Sequence, residues 1–237
     1  MTHVWTQDDV PELYAATGLF RSGDGKPVVA LDIDGTLGDY HSHFLWFAEK
    51  WLGMPMPSPT EINPGLPLSQ FMGVPHHVYR ECKLAYRQGG LKRFMPVYPF
   101  AAGLTRNIRA EGVDVWICTT RPYLRLDNID PDTREWLRRN SIEYDAVIFE
   151  GVDTGSGVHP TKYADLVRQV GTDRIVAAVD DLSEQVEDAI KLGIRKVYLR
   201  DQPYNRGRGV PGEPVDDLVH LWTRLARDII KWREEHQ

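Results

Sequence analysis

Five short apolar runs, at 28–33, 113–118, 146–149, 174–179 and 196–199, alternate with helical patterns at 100–110, 132–140, 163–170 and 183–192. A short apolar run bounded by turn residues reads as a strand covered on both faces, the habit of parallel sheets. Parallel neighbours need a crossover, which is right-handed and carries a helix back over the sheet. The chain is therefore expected to be α/β, and its 237 residues suit one core with an inserted subdomain better than two independent domains. Residues 39–98 break the alternation between the first strand and the helix before the second. A structureless loop of that length is rare in a compact domain, so the segment reads as a small helical cap. Its helices are expected at 41–52 and 76–87, around proline-rich connectors at 54–59 and 63–67. The core would then comprise 1–38 and 99–237. An amphipathic helix is expected at 6–19, opened by Thr6 with Asp8 and Asp9. Leu218, Leu221, Trp222, Leu225, Ile229 and Trp232 recur at threes and fours and form another, packed on the chain's own sheet or, alternatively, on a second copy.

The first run ends in Asp32-Ile33-Asp34-Gly35-Thr36. Open α/β sheets bind ligands outside the carboxyl ends of their strands, so both carboxylates would sit at that lip. Side chains at i and i+2 of an extended chain share a face, and Gly35 permits a turn that swings the second carboxylate over the first. One can attack while the other moves a proton, provided their environments separate their pKa values. The plain alternative is a solvated strand-to-turn junction, since acidic residues beside glycine are common turn formers. A calcium loop is excluded: its other liganding oxygens and the glutamate at the twelfth position are missing, and the chain runs into His43-Phe44-Leu45-Trp46-Phe47.

Three later segments repeat the pattern of an apolar strand or helix start with a polar functional end. In Val113-Asp-Val-Trp-Ile-Cys-Thr-Thr-Arg-Pro122, the hydroxyls of Thr119 and Thr120 and the guanidinium of Arg121 suit an anionic oxygen. Lys162 opens a helical pattern, where a cation can reach a phosphate. Asp180 and Asp181 end another buried strand and supply hard oxygen ligands suited to magnesium.

This ordered set closely resembles the haloacid dehalogenase-like (HAD) phosphatase superfamily, over about residues 27–205. The resemblance implies a three-layer Rossmann-like parallel sheet, with the insertion after the first strand acting as a mobile cap that covers the site and selects the substrate. It implies Asp32 as a nucleophile that becomes an aspartyl-phosphate and Asp34 as general acid and base. Thr119 would hydrogen-bond the transferring phosphoryl group, and Lys162 would neutralise that group and Asp32. Magnesium would be held by Asp32, Asp180 and the backbone carbonyl of Asp34, with Asp181 reaching it through water or supporting its ligands. Elementary chemistry agrees: phosphoryl transfer is catalysed mostly by positioning and charge neutralisation, and crowded carboxylates call for a divalent ion.

Within the superfamily, Cys118-Thr119-Thr120, Phe94-Met-Pro-Val-Tyr-Pro-Phe-Ala-Ala-Gly103 and Asp201-Gln-Pro-Tyr-Asn-Arg206 resemble the 5′(3′)-deoxyribonucleotidase group. The chain departs from that group at Thr120-Arg121-Pro122, where a Ser-Pro continuation is expected. The Thr-Arg-Pro form, with Asp132-Thr-Arg-Glu-Trp-Leu-Arg-Arg139, is similar to the phosphatase modules of end-healing polynucleotide enzymes, which would act on a 3′-phosphate. The expected activity is a magnesium-dependent phosphomonoesterase acting on nucleoside monophosphates. The alternatives are a polynucleotide 3′-phosphatase, a phosphatase of another small metabolite, or, in a different class, a catalytically idle metal-binding interaction module. Thr120 and Arg121 are candidates for substrate contact. Phe44 and Phe47 are candidates for stacking a base, against the ordinary reading of cap aromatics as core.

Other features narrow the field. A formal charge of −6 argues against extended nucleic-acid binding, which needs clustered Lys and Arg. No apolar run approaches membrane length and the opening residues lack a signal-peptide pattern, so neither anchor nor leader is expected. Two cysteines, Cys82 and Cys118, make no disulfide framework and read as reduced thiols of a cytoplasmic protein. His41, His43, His76 and His77 have no zinc-site spacing and read as helix-surface or hinge groups. The glycine-rich stretch at 151–157 lacks the Lys-Ser/Thr of a P-loop and is expected to bring Lys162 inward.

Overall fold

A computed structural model of the chain describes residues 25–63, 66–121, 129–150, 161–207, 209 and 211–236. The helix expected at 6–19, the glycine-rich stretch at 151–157 and Pro122 lie outside the described residues. Strand β1 (Val28–Leu31) leads into a helical insertion made of α1 (Tyr40–Leu52), a 3-10 turn (Pro59–Glu61), α2 (Leu68–Phe71), α3 (His76–Gln88) and a second 3-10 turn (Leu91–Phe94). The alternating part follows as α4 (Ala101–Ala110), β2 (Asp114–Thr119), α5 (Ile129–Arg139), β3 (Ala146–Phe149), α6 (Lys162–Val170), β4 (Ile175–Asp180), α7 (Ser183–Lys191), β5 (Val197–Arg200), β6 (Glu213–Val215) and α8 (Leu218–Glu235).

All paired strands are parallel, in the order β3-β2-β1-β4-β5-β6. Every residue of β1 to β5 is buried, which explains why the strands read as apolar runs rather than alternating ones. Successive side chains still point to opposite faces. Val29 and Leu31 join the larger core under α4 and α8, while Val28 and Ala30 join the core under α6 and α7. The result is the α/β parallel sheet that the alternation predicts, in the three-layer Rossmann-like form that the resemblance implies, with the helical insertion after its first strand.

The sixth strand had no sequence signal. Glu213-Pro214-Val215 is short and carries a proline, which a sheet tolerates at an edge where the missing N–H costs no ladder bond. The stripe on α8 is used within the chain: Leu218, Leu221, Leu225 and Ile229 are buried in the larger core, and the Trp232 indole N–H donates to the Asp173 carbonyl at 2.7 Å. Among the described residues no helix is long and apolar enough to cross a membrane.

Candidate active site

Strand order decides what meets. β1 lies between β2 and β4, and the chain leaves β1 in one direction to form β2 and returns on the other side to form β4. Such a reversal opens a crevice at the carboxyl ends of the strands. Leu31 is in register with Ile117 on one side and Val179 on the other, so Asp32 emerges beside Asp180, with Cys118 level with it in β2 and Thr119 one residue further on. Asp32 is tied to β4 by its N–H donating to the Val179 carbonyl at 3.0 Å.

A tight turn follows. The Ile33 carbonyl accepts from Leu37 N at 3.0 Å and Gly38 N at 2.9 Å, and Gly35 N donates to the Gly38 carbonyl at 2.8 Å. Gly35 has φ +100, and a Cβ there would lie 2.5 Å from Asp181 Cγ and overlap the Tyr204 hydroxyl, so only glycine fits. The turn ends at Asp39, whose carboxylate accepts from Ser42 N at 3.2 Å and caps α1.

Lys162 is fully buried and bridges two carboxylates, with Nζ 2.6 Å from Asp32 Oδ1 and 2.6 Å from Asp180 Oδ2. The Thr161 hydroxyl accepts from Ala164 N at 3.2 Å and caps α6, which fixes the ammonium at that helix start. Tyr163 donates its hydroxyl to Asp180 Oδ2 at 2.8 Å, and Leu182 N donates to Oδ1 at 2.9 Å. Asp181 accepts from the Tyr204 hydroxyl on Oδ2, whereas its Oδ1 is buried with no hydrogen-bond partner. Asn205 donates to the Asp181 carbonyl at 2.7 Å, and Gln202 to the Gly35 carbonyl at 2.7 Å, so the segment after β5 braces the turn from outside.

Asp32, Asp180 and Asp181 each place a carboxylate oxygen within 4.8 Å of the others, and all three residues are buried. Hard oxygen donors at that spacing, one of them an orphaned buried oxygen, fit magnesium. Burial, only partly offset by Lys162 and reinforced by Asp180 and Asp34, pushes the Asp32 carboxyl up to about 7. Asp181 is likewise raised by burial, then by Asp32 and Asp180. Burial acts against the charge on Lys162, but Asp180 and Asp32 outweigh it and hold the ammonium above its ordinary value.

Asp34 meets a different set of neighbours. Arg121 grips it in a fork, Nε to Oδ2 at 3.0 Å and a terminal nitrogen to Oδ1 at 2.5 Å, and Lys92 also binds Oδ2. Burial alone would raise its carboxyl, but Arg121 and then Lys92 hold it well below the usual carboxylate range. At Lys92 the balance reverses: burial exceeds the pull of Asp34 and draws the ammonium down to about 7. The two carboxylates of the motif thus have well-separated proton affinities.

The crevice above them has a volume of about 220 Å³. Asp32, Asp34, Asp181, Thr120, Arg121 and Leu182 line it from the core, and Tyr40, His41, Leu68, Tyr79, Lys83, Arg87 and Lys92 line it from the insertion. Thr119 is fully buried behind Thr120, its hydroxyl accepting from Arg121 N at 3.2 Å.

Comparison with solved structures gives similarity over most of the chain. A predicted phosphatase from Clostridium acetobutylicum matches with TM-score 0.61 at 13% identity, covering 85% of this chain and 99% of that one. A HAD family hydrolase from Deinococcus radiodurans R1, solved with bound phosphate and sodium, matches with TM-score 0.61 at 15% identity, covering 87% and 97%. The fold is HAD-like. A D,D-heptose 1,7-bisphosphate phosphatase from B. bronchiseptica, complexed with magnesium and phosphate, shares this HAD-like fold with TM-score 0.52 at 14% identity, covering 85% and 99%. No protein-family model and no curated protein matches the sequence.

Set in the HAD-like core, Asp32, Asp34, Lys162, Asp180 and Asp181 come together at one lip of the sheet, whereas Thr119 is fully buried and Thr120 lines the crevice. Three expectations are corrected. Arg121 does not offer its guanidinium to a substrate anion: two of its nitrogens bind Asp34 and the third donates to Thr133 at 2.9 Å, because a planar fork buried beside a carboxylate is satisfied by it. Phe44 cannot stack a base, since it is fully buried among Tyr40, Tyr79 and Tyr86, with ring centroids 5.4 to 5.9 Å away. Phe47 packs on the same Tyr86 at 5.5 Å and does not line the crevice.

Among the described residues, the aromatic groups that do reach the crevice are Tyr40, His41 and Tyr79. His41 is no surface group, for it packs 4.2 Å from the Tyr204 ring and burial lowers it to about 4. Lys92 and Tyr204 escaped sequence reasoning as site residues. Tyr204 lies in the stretch after β5 that carried part of the resemblance, which was its signal, whereas Lys92 sits in Gly90-Leu91-Lys92-Arg93 with no local pattern.

Proposed function

We propose that the protein is a magnesium-dependent phosphomonoesterase that works through an aspartyl-phosphate on Asp32. The observation that carries the reading is the buried cluster in which Lys162 binds Asp32 and Asp180 at 2.6 Å while Asp181 leaves an oxygen unpaired toward them. The HAD-like fold and the neighbours' phosphatase chemistry support it.

An Asp32 oxygen attacks phosphorus, the bond from phosphorus to the ester oxygen breaks, and the alcohol leaves with a proton. Water then attacks the acyl phosphate and releases inorganic phosphate, regenerating the carboxylate, so one hard step becomes two easier ones. Lys162 neutralises the nucleophile, and we assign to Thr119 the hydrogen bond to the phosphoryl group. Asp34 protonates the leaving oxygen and later takes the proton of the attacking water. Held as an anion by Arg121 and Lys92, it is ready for the second task, and the first requires those contacts to loosen. Asp32, Asp180 and the Asp34 carbonyl would hold the divalent ion, with Asp181 beside them, and the ion would supply charge neutralisation on the phosphoryl oxygens.

Residues 39–98 act as the cap that selects the substrate, and we assign nucleoside monophosphates as the class. Support comes from the nucleotidase-like segments and from Tyr40, His41 and Tyr79, which bring aromatic rings to the crevice. Buried, unpaired Cys82 and Cys118 agree with a reducing, cytoplasmic setting. The test is phosphate release from a panel of nucleoside 5′- and 3′-monophosphates, sugar phosphates and a 3′-phosphorylated oligonucleotide, with magnesium, with EDTA and with Asp32→Asn. Magnesium-dependent release from mononucleotides, abolished by the substitution, is expected. No release from any compound would refute the activity, and preference for the oligonucleotide would refute the substrate class.

A further inference from the structure

One face of α3 lines the cap side of the crevice. Tyr79, Lys83 and Arg87 follow one another at intervals of four, which places them in a single stripe, and all three line the crevice. Two further cations there, Arg121 and Lys92, are answered by Asp34, whose two oxygens they share. Lys83 is not. Its ammonium lies 5.7 Å from the centroid of the Tyr79 ring, and among the described residues no carboxylate forms an ion pair with it. Burial lowers its proton affinity, and Arg87 one turn on lowers it further, with Asp34 alone opposing. A half-buried cation beside other cations costs stability unless an anion completes it.

We propose that Lys83 seats a second anionic group of the substrate, so that the phosphomonoester cleaved at Asp32 carries another phosphate or a carboxylate on its leaving part. This rests on the phosphatase reading above and narrows it. Among nucleotides, monophosphates remain substrates and those that carry phosphate at both the 3′ and 5′ positions bind more tightly.

Two matched pairs separate the chemistries: glycerol 3-phosphate against 3-phosphoglycerate, and deoxyadenosine 5′-monophosphate against the 3′,5′-bisphosphate. Each compound is titrated by calorimetry, with magnesium, into the full chain carrying Asp32→Asn and into Asp32→Asn with Lys83→Met. A charge-assisted contact is expected to make the doubly anionic member bind about tenfold more tightly in at least one pair. Lys83→Met removes that gain and leaves the other member within about twofold. The pair that responds identifies carboxylate or phosphate. Equal affinities within both pairs, or a loss shared by both members on Lys83→Met, would overturn the assignment. So would a lower melting temperature for Lys83→Met, since removing a cation that no described carboxylate pairs relieves a cost. Turnover of the same compounds by the wild type is read separately, and silence there would refute the phosphatase reading whatever the binding shows.

Discussion

Lys162→Met removes the one cation that, among the described residues, touches the buried carboxylates Asp32 and Asp180. At 2.6 Å and an effective dielectric constant near 20, each contact represents about 6 kcal/mol of Coulomb attraction. Desolvation of the fully buried ammonium offsets most of this, and breaking such a pair while leaving its partners behind costs about 3–5 kcal/mol. For a chain of this length that is a fall of about 10 °C in melting temperature. The loss depends on pH. Asp32 already has its carboxyl lifted to about 7 by burial, and without Lys162 it rises further. Between its ordinary value near 4 and this raised one, the folded state holds a proton that the unfolded chain has lost, so the group's contribution falls as pH rises through that window. At pH 5 Asp32 is neutral, only Asp180 misses the cation, and Tyr163 and Leu182 still donate to it. The cost of the substitution is then about 1–2 kcal/mol. Urea unfolding of wild type and variant at pH 5 and pH 8, without magnesium, measures both values. A loss below about 1 kcal/mol at pH 8, or the same loss at both pH values, would refute the reasoning.

Magnesium is expected to raise the melting temperature of the wild type at pH 8, and Asp180→Asn to abolish that rise, as titrated by thermal denaturation. Gly35→Ala forces a side chain at φ +100 against Asp181 and should cost at least about 2 kcal/mol together with most of the magnesium effect; an unchanged melt would show that the turn adapts. Phe44→Ala should lose about 3–5 kcal/mol in chemical denaturation, as for any emptied core site, with KM for substrate little changed. A raised KM at unchanged stability would restore Phe44 to the substrate site.

The corrections share a cause. Arg121 follows the threonine pair directly, so its position at the strand end was readable, but its partner Asp34 is 87 residues away in sequence and claims the guanidinium before any substrate can. Phe44 and Tyr40 are four residues apart on α1, and sequence spacing cannot tell which of the two faces the crevice, because that depends on where α3 packs. Lys92 reaches Asp34 from a short 3-10 turn whose composition resembles any basic loop.

Hydrophobic patterning by itself determined the alternation of strands and helices, hence the parallel sheet, the insertion and the placing of Asp32, Thr119, Lys162 and Asp180 at element ends, since a strand buried on both faces must be apolar until it emerges. The five strands that carry this pattern lie within a residue or two of their predicted bounds, and only the edge strand containing Pro214 was silent. Tertiary structure alone decided charge balance: that Asp34 is clamped by Arg121 and Lys92, that Asp32 is raised, and that Lys83 has no counter-ion among the described residues. Electrostatic energy depends on distance and burial between residues far apart in the chain, and no local pattern of side chains encodes either.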